Sequence, residues 1–301
     1  MGRPFGICFL KTHAINECFY KEVVFADDLN AYRIYPSAIQ NSAIKQSLDN
    51  CQCELHKWGN ANQVAFDATK ESQHVLSTSD PEGSAFKLLG VPFDTELSMA
   101  NAVSELVSSA GWKLRTLLRT RRFYTDADLV VLYKAHLLSY LEYRTPALYH
   151  ATRAVINRLD AVQHRFLRDV GVDDVPALVH FHLAPLSTRR DIAMLGLIHR
   201  AVLGKGPSQF AEFFRRDLQH SMKLVDPRAS SRSPLIKRSA LGLVAVYNLL
   251  PHKVVCEKSV SAFQKGLQEL IKSFVVTGHP KWSEVLSPRL LLMLHPVTTI
   301  S

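Results

Sequence analysis

Two adjacent carboxylates are the residues of this chain that are best placed for chemistry. Asp27 and Asp28 lie between two runs with strand character, residues 22–26 and residues 29–35. The pattern predicts a β-hairpin with both acids at its tip. Mg²⁺ prefers one or two carboxylates together with phosphate oxygens, and nucleotidyl transfer needs such an arrangement. The alternative is a polar turn without a metal, because Asp is common in turns.

A second cluster is basic and ends a predicted helix that begins near residue 97. It consists of Lys113, Arg115, Arg119, Arg121 and Arg122. No acid interrupts residues 106–125, and Arg115, Arg119 and Arg122 recur at spacings of four and three, which places them on one helix face. Such a face suits the phosphates of a nucleic-acid duplex. A solvated helix end, where cations are favoured by the helix dipole, is the alternative.

The elements that must position these residues follow from hydrophobic periodicity. Residues 39–58 are predicted to form a helix whose apolar stripe comprises Ile44, Leu48, Cys51, Leu55 and Trp58. Short strands are predicted at residues 63–67, 74–77 and 86–91. Further helices are predicted over residues 125–141, 152–170, 188–202, 241–250 and 259–275. Thr125 with Asp128 and Thr188 with Asp191 are predicted N-cap pairs, and Gly171 a C-terminal stop.

The order of these motifs resembles the reverse transcriptases of non-LTR (LINE-type) retrotransposons. The resemblance covers roughly residues 19–200. It rests on Phe25-Ala26-Asp27-Asp28, Leu55 to Trp58, Asn62 with Phe66 and Lys70, Leu89-Gly90-Val91 with Asp94, Leu141-Glu142-Tyr143, Leu159, Gln163, Phe166-Leu167-Arg168 and Gly171. It implies an α+β fold, in which a partial polymerase palm, a small antiparallel sheet with a packed helix, precedes a mostly α-helical thumb and C-terminal region.

The resemblance also implies a function. The chain is expected to be a fragment of an RNA-directed DNA polymerase that carries out templated nucleotidyl transfer by two-metal chemistry. Asp27 and Asp28 would then be catalytic residues and Mg²⁺ ligands, with dNTP as substrate. The basic residues would contact an RNA template/DNA primer duplex. They are Lys70, Lys113, Arg115, Arg119, Arg121 and Arg122.

The departures from the family pattern concern the region before the hairpin. Family polymerases carry a further catalytic Asp on an earlier strand and a Pro-Gln-Gly segment near the nucleotide. The 26 residues before Asp27 contain no Asp, Glu22 is too close to the hairpin to replace it, and residues 1–6 do not match Pro-Gln-Gly. We therefore expect the fingers and the first half of the palm to be missing, and the truncated chain to be inactive alone.

Composition agrees with a nucleic-acid partner. Lys and Arg number 36 against 27 acids, a net charge of +9 that favours polyanions. Five cysteines at unpaired spacings favour a reducing compartment. Cys51, Cys53 and His56 lack a second ligand pair at zinc-finger spacing, and core packing of Cys51 is the favoured interpretation. No run reaches the roughly 18 apolar residues of a membrane span. An intracellular, soluble protein is expected, in the nucleus or the cytoplasm.

The sequence predicts four segments and leaves three functions as alternatives. The segments are residues 1–95 (partial palm), 96–222 (thumb and post-thumb), 223–238 (a Pro/Ser-rich linker) and 239–301 (a helical tail of unknown role). The first function is the polymerase fragment. The others are a non-catalytic nucleic-acid-binding remnant that uses the basic helix and a helical protein-interaction module in which Asp-Asp is simply a turn.

Overall fold

The computed structural model describes residues 20–25, 28–36, 38–67, 69–211, 213–215, 223–226 and 233–288. Within these ranges the fold is mixed, predominantly helical, with two short antiparallel hairpins, and the predicted α+β class is confirmed at that level. The chain divides into two units. The first comprises the described residues up to Phe86 with Thr95–Leu97. The second comprises Lys87–Asp94 and the described residues from Ser98 onward.

The first unit begins with the predicted hairpin. Strand β1 (Lys21–Phe25) pairs antiparallel with β2 (Asp28–Tyr32), and Phe25 is opposite Asp28 at the closed end. Side chains alternate along β1 between exposed and half-buried, as expected when one face of a sheet is covered. The predicted hairpin is therefore confirmed.

Helix α1 (Asn41–Ala61) follows the hairpin, close to its predicted bounds. Ile44 and Cys51 are buried, while the other members of the apolar stripe are half-buried. The burial of Cys51 confirms its role in packing.

The strand predicted at residues 63–67 is wrong. The backbone turns back at Gln63, whose φ is +57°, and the Val64 N–H donates to the Gly59 carbonyl at 2.8 Å. The Phe66 ring then lies against Gly59, where a Cβ would come within 2.7 Å of the ring. The β propensity of Phe66 favours a strand, but packing of its ring against α1 determines the conformation.

The next two predicted strands are also corrected. Residues 74–77 contribute a single bridge, between Val75 and Glu82. Residues 86–91 form two strands, β3 (Phe86–Leu88) and β4 (Val91–Phe93), because the chain reverses at Leu89 and Gly90. Both turn residues have positive φ, +49° and +75°, which is typical of a two-residue type I′ hairpin turn.

Helices build the second unit. They are α2 (Ala100–Arg119), α3 (Asp126–Tyr133), α4 (Ser139–Glu142), α5 (Thr145–Leu148), α6 (Arg153–Val170), α7 (Asp174–Phe181), α8 (Leu186–Val202), α9 (Ser208–Ala211), α10 (Pro234–Arg238), α11 (Val244–Tyr247), α12 (His252–Val255) and α13 (Val260–Val276). A π-turn, Lys134–Leu138, joins α3 to α4, and 3₁₀ turns lie at Arg121–Phe123, Ala240–Leu243 and Trp282–Glu284.

Two of the three predicted helix ends are confirmed. Thr125 and Asp128 form a reciprocal capping box at the start of α3, and Gly171 ends α6 with a φ of +80°. Thr188 and Asp191 do not cap α8, which begins at Leu186. Both are buried inside that helix, where Thr188 donates to the Ser283 carbonyl at 2.8 Å and Asp191 accepts from the Tyr149 hydroxyl. The side chains of Thr188 and Asp191 therefore bond to residues distant in sequence, and not to the backbone at the start of the helix.

Helices α2 and α6 pack side by side in the same direction. Arg158 on α6 donates to Ser104 near the start of α2 at 3.0 Å, and Arg121 just after α2 donates to the Asp169 carbonyl near the end of α6 at 3.2 Å. The C-terminal ends of the two helices therefore lie together.

Two hydrophobic clusters fill the second unit. The first joins α2, α3, α4 and α6 and includes Leu106, Tyr133 and Phe166. The second joins α8, α11 and α13 and includes Ile198 and Phe263. The described part of the predicted tail thus packs in the same unit as α8. Within the predicted linker, residues 227–232 lie outside the described residues, and residues 234–238 form α10.

Candidate functional site

The acidic hairpin belongs to the first unit. Asp28 is exposed at the start of β2, directly opposite Phe25. Asp27 lies outside the described residues. An exposed carboxylate at this position is accessible to a hydrated cation.

Hydroxyl groups link the hairpin to α1. The hydroxyl oxygens of Tyr20, just before β1, and Tyr35, just after β2, lie 2.6 Å apart. Both donate to the Ser47 hydroxyl on α1, at 3.1 and 2.9 Å. Burial of the group raises the pKa of Tyr20. These bonds tie the open end of the hairpin, the end away from Asp28, to the helix.

Glu22 is the nearest described acid upstream of the hairpin tip. It lies on the half-buried face of β1, and burial raises its pKa. Among the described residues, no three His, Cys, Asp or Glu side chains converge as metal ligands. Of the two predicted Mg²⁺ ligands, the described part of the chain holds Asp28.

Lys70 forms an ion pair with Asp67 at 3.5 Å and is largely exposed. Asp67 also accepts hydrogen bonds from the Thr69 N–H and hydroxyl at 3.0 and 2.6 Å, and these bonds lower the pKa of Asp67. Lys70 thus sits at the end of a small turn with a local acidic partner.

A polar network connects α1 to the segment after it. His56 Nε2 lies 2.9 Å from Glu71 Oε2, and the Gln52 amide donates to the same oxygen. The bond to His56 is the main cause that lowers the pKa of Glu71. His56 is therefore hydrogen-bonded to a carboxylate within the first unit.

The basic cluster belongs to the second unit, at the C-terminal end of α2 and in the 3₁₀ turn after it. All five side chains are exposed. Lys113 Nζ lies 5.1 Å from the ring centroid of Tyr140, and the Arg122 guanidinium lies 4.7 Å from that of Phe123. Arg121 is tied to the end of α6, while Arg115 and Arg119 extend along the surface of α2. Lys113, Arg115 and Arg119 thus lie in the last two turns of α2, and Arg121 and Arg122 in the 3₁₀ turn that follows.

Sequence reasoning missed two further cations at the same end of the unit. Arg165 and Arg168 are exposed near the C-terminus of α6, each within 4 Å of Asp169. Their spacing of three on the polar face of α6 was visible in the sequence. Their proximity to the α2 cluster was not, because it depends on the parallel packing of the two helices.

Reasoning from charge alone also missed the aromatic neighbours of the cluster. Trp112 and Phe123 are 65% and 69% exposed, and Tyr124 is exposed as well. The basic end is therefore a mixed surface of cations and rings.

A cavity of about 260 Å³ lies elsewhere in the second unit. Its charged lining residues include Glu142, Arg189 and Lys272. Arg189 makes a two-point ion pair with Glu142, and Lys272 pairs with Glu269 at 3.0 Å. Both cations of the lining therefore have an acidic partner.

Comparisons with protein-family models, curated proteins and solved structures give no match for this chain. Within the described ranges, no helix is both long and apolar enough to cross a bilayer.

Proposed function

We propose that this chain is the palm-and-thumb part of an RNA-directed DNA polymerase of the non-LTR retrotransposon type, and that its second unit binds a primer-template duplex through the basic end of α2. The observation that carries the binding role is the exposed group of cations at that end. The ordered motifs of the sequence carry the polymerase role.

The basic surface has the features that duplex binding requires. Arg115 and Arg119 are four residues apart on one helix, so both can reach phosphates of the same backbone. Within the described part of the chain, neither arginine forms an ion pair with an acidic side chain within 4 Å. Their charge is available to a phosphate, and binding would release counterions.

The paired acids of the hairpin support the metal-binding part of the proposal. Asp27 and Asp28 would hold Mg²⁺, whose preferred ligands are carboxylate and phosphate oxygens. Bound Mg²⁺ would stabilise negative charge on the reacting phosphate. The Tyr20, Tyr35 and Ser47 hydroxyls tie the open end of this hairpin to α1.

Binding is tested with a triple variant, Arg115→Ala, Arg119→Ala and Arg122→Ala. It should bind an RNA/DNA duplex at least about tenfold more weakly at low salt, and its slope of log affinity against log salt should be shallower by about 3, because three phosphate contacts are lost. Fluorescence anisotropy over a salt series measures both quantities.

The matched control removes the same charge elsewhere in the second unit. Lys253, Lys258 and Lys265 are exposed, and replacing all three by Ala should change affinity much less. Equal losses in the two triple variants would mean that only net charge matters, and the proposed surface would be rejected.

A non-catalytic nucleic-acid-binding role is supported by the same surface, because binding does not require the acidic hairpin. Templated dNTP incorporation with Mg²⁺ that is lost in Asp28→Asn would support the polymerase role and contradict the expectation that this chain is inactive alone. Duplex binding without incorporation is the result expected for either role.

A further inference from the structure

Exposed aromatic rings occur within the basic surface of α2. Trp112 and Phe123 each present about two thirds of their surface to solvent. Isolated exposed apolar residues are ordinary on protein surfaces. Trp112 and Phe123 differ because each is close in sequence to arginines for which the described residues show no ion pair.

The helix geometry aligns rings and charges. Trp112, Arg115 and Arg119 stand at positions i, i+3 and i+7 of α2, which form a single stripe about 10 Å long. At its C-terminal end the chain turns, and Arg122 stacks on the Phe123 ring. A ring therefore lies at each end of the stripe, with arginines between them.

We propose that the surface formed by Trp112, Arg115, Arg119, Arg122 and Phe123 binds unpaired nucleotides, with the rings stacking on bases and the arginines contacting phosphates. This inference rests on the proposed function and specifies which part of a nucleic acid the surface contacts. Phosphate contacts alone would need no rings, and the bases of a duplex have their faces covered by their neighbours. Unpaired bases expose those faces, and stacking on aromatic side chains is the usual way in which single strands are bound.

The experiment compares two labelled substrates, a blunt RNA/DNA duplex and the same duplex with a short unpaired template overhang. Wild-type protein should bind the overhang substrate more tightly. The variant Trp112→Leu with Phe123→Leu should lose at least roughly 30-fold of its affinity for the overhang substrate, because two stacking rings are removed, and change its affinity for the blunt duplex by less than about twofold.

Two further variants control for indirect effects. Trp112→Phe with Phe123→Tyr keeps both rings and should keep the preference for the overhang. Tyr143→Leu removes a ring that is 71% exposed outside this surface, and it should have no effect on either substrate.

The outcomes separate this inference from the proposed function. If the leucine variant keeps the wild-type preference, or if it loses affinity equally for both substrates, stacking on unpaired bases is refuted, while duplex binding that depends on the arginines still stands. If wild-type protein binds neither substrate, both are refuted.

Discussion

Buried polar groups of the second unit illustrate how single residues are stabilised. His199 is fully buried and stacks on Phe263, with its Nδ1 2.9 Å from the Tyr247 hydroxyl and its Nε2 2.8 Å from the Glu257 carbonyl. Burial lowers the pKa of His199, which favours the neutral ring. In that state Nε2 donates to the carbonyl, and Nδ1 accepts from Tyr247. The hydroxyl of Tyr133, equally buried, has no hydrogen-bond partner among the described residues.

The two tyrosines should therefore respond in opposite ways to loss of the hydroxyl. Tyr133→Phe should leave the free energy of unfolding unchanged or raise it, by up to about 1–3 kcal/mol, because it removes a desolvated group without a partner. Tyr247→Phe should lower it by about 1–3 kcal/mol, since Nδ1 of His199 loses its donor. Urea denaturation measures both, and a larger loss for Tyr133→Phe than for Tyr247→Phe would contradict the assignment.

Residue types and spacing were informative where the chemistry is local. The hairpin that carries Asp28, the helix that carries Arg115 and Arg119 and the burial of Cys51 could all be predicted, because each depends on a short stretch of sequence. Arg165 and Trp112 were not predicted as site residues. The position of Arg165 depends on α6 packing along α2, and the exposure of Trp112 depends on which face of α2 that packing covers.

At the scale of elements, helix ends show which local signals persist in the folded protein. The Thr125 hydroxyl accepts from the Asp128 N–H, and the Asp128 carboxylate accepts in return from the Thr125 N–H at 3.1 Å. Thr152 occupies the same N-cap position at the start of α6 without a side-chain capping bond. The two threonines differ in this bond.

This difference gives a matched pair of substitutions. Thr125→Ala should lower the free energy of unfolding by about 1 kcal/mol, because an orphan N–H at the helix start loses its acceptor. Thr152→Ala should change it by less than about 0.5 kcal/mol. Thermal and chemical denaturation of both variants provides the measurement, and equal costs would show that the capping bond at Thr125 does not contribute.

The sequence predicts regular helices better than it predicts irregular turns. The long helices α1, α2 and α6 follow from their apolar stripes. The π-turn at Lys134–Leu138 and the I′ turn at Leu89 were not predicted. A left-handed backbone conformation is uncommon for leucine. The sequence pattern alone therefore predicts a strand that continues through Leu89. Thr188 likewise matched a capping pattern, but its hydroxyl binds a carbonyl distant in sequence.

At the scale of the whole molecule, the two units differ in how much core they hold. Among the described residues of the first unit, the buried apolar side chains are Ile44 and Cys51. The second unit has two clusters that extend from α2 to α13. Burial of apolar surface is the main source of stability, so the first unit should open more readily.

Hydrogen exchange can test this difference. Amides in the middle of α1 should show protection factors at least about tenfold lower than amides in the middle of α6, because α1 can be released by local opening. Mass spectrometry of peptides from both helices resolves the two rates. Equal protection would indicate a single cooperative unit.

The parallel packing of α2 and α6 also affects how the protein is made. The hydrogen bonds that join these helices connect residues 54 and 48 positions apart in sequence. Synthesis at about 5–20 residues per second places roughly 3–10 seconds between the emergence of α2 and that of α6. During this interval the apolar stripe of α2 lacks its main partner. A nascent chain is therefore most exposed to misassociation and to chaperone binding while α3, α4 and α5 are emerging from the ribosome, before α6 covers α2.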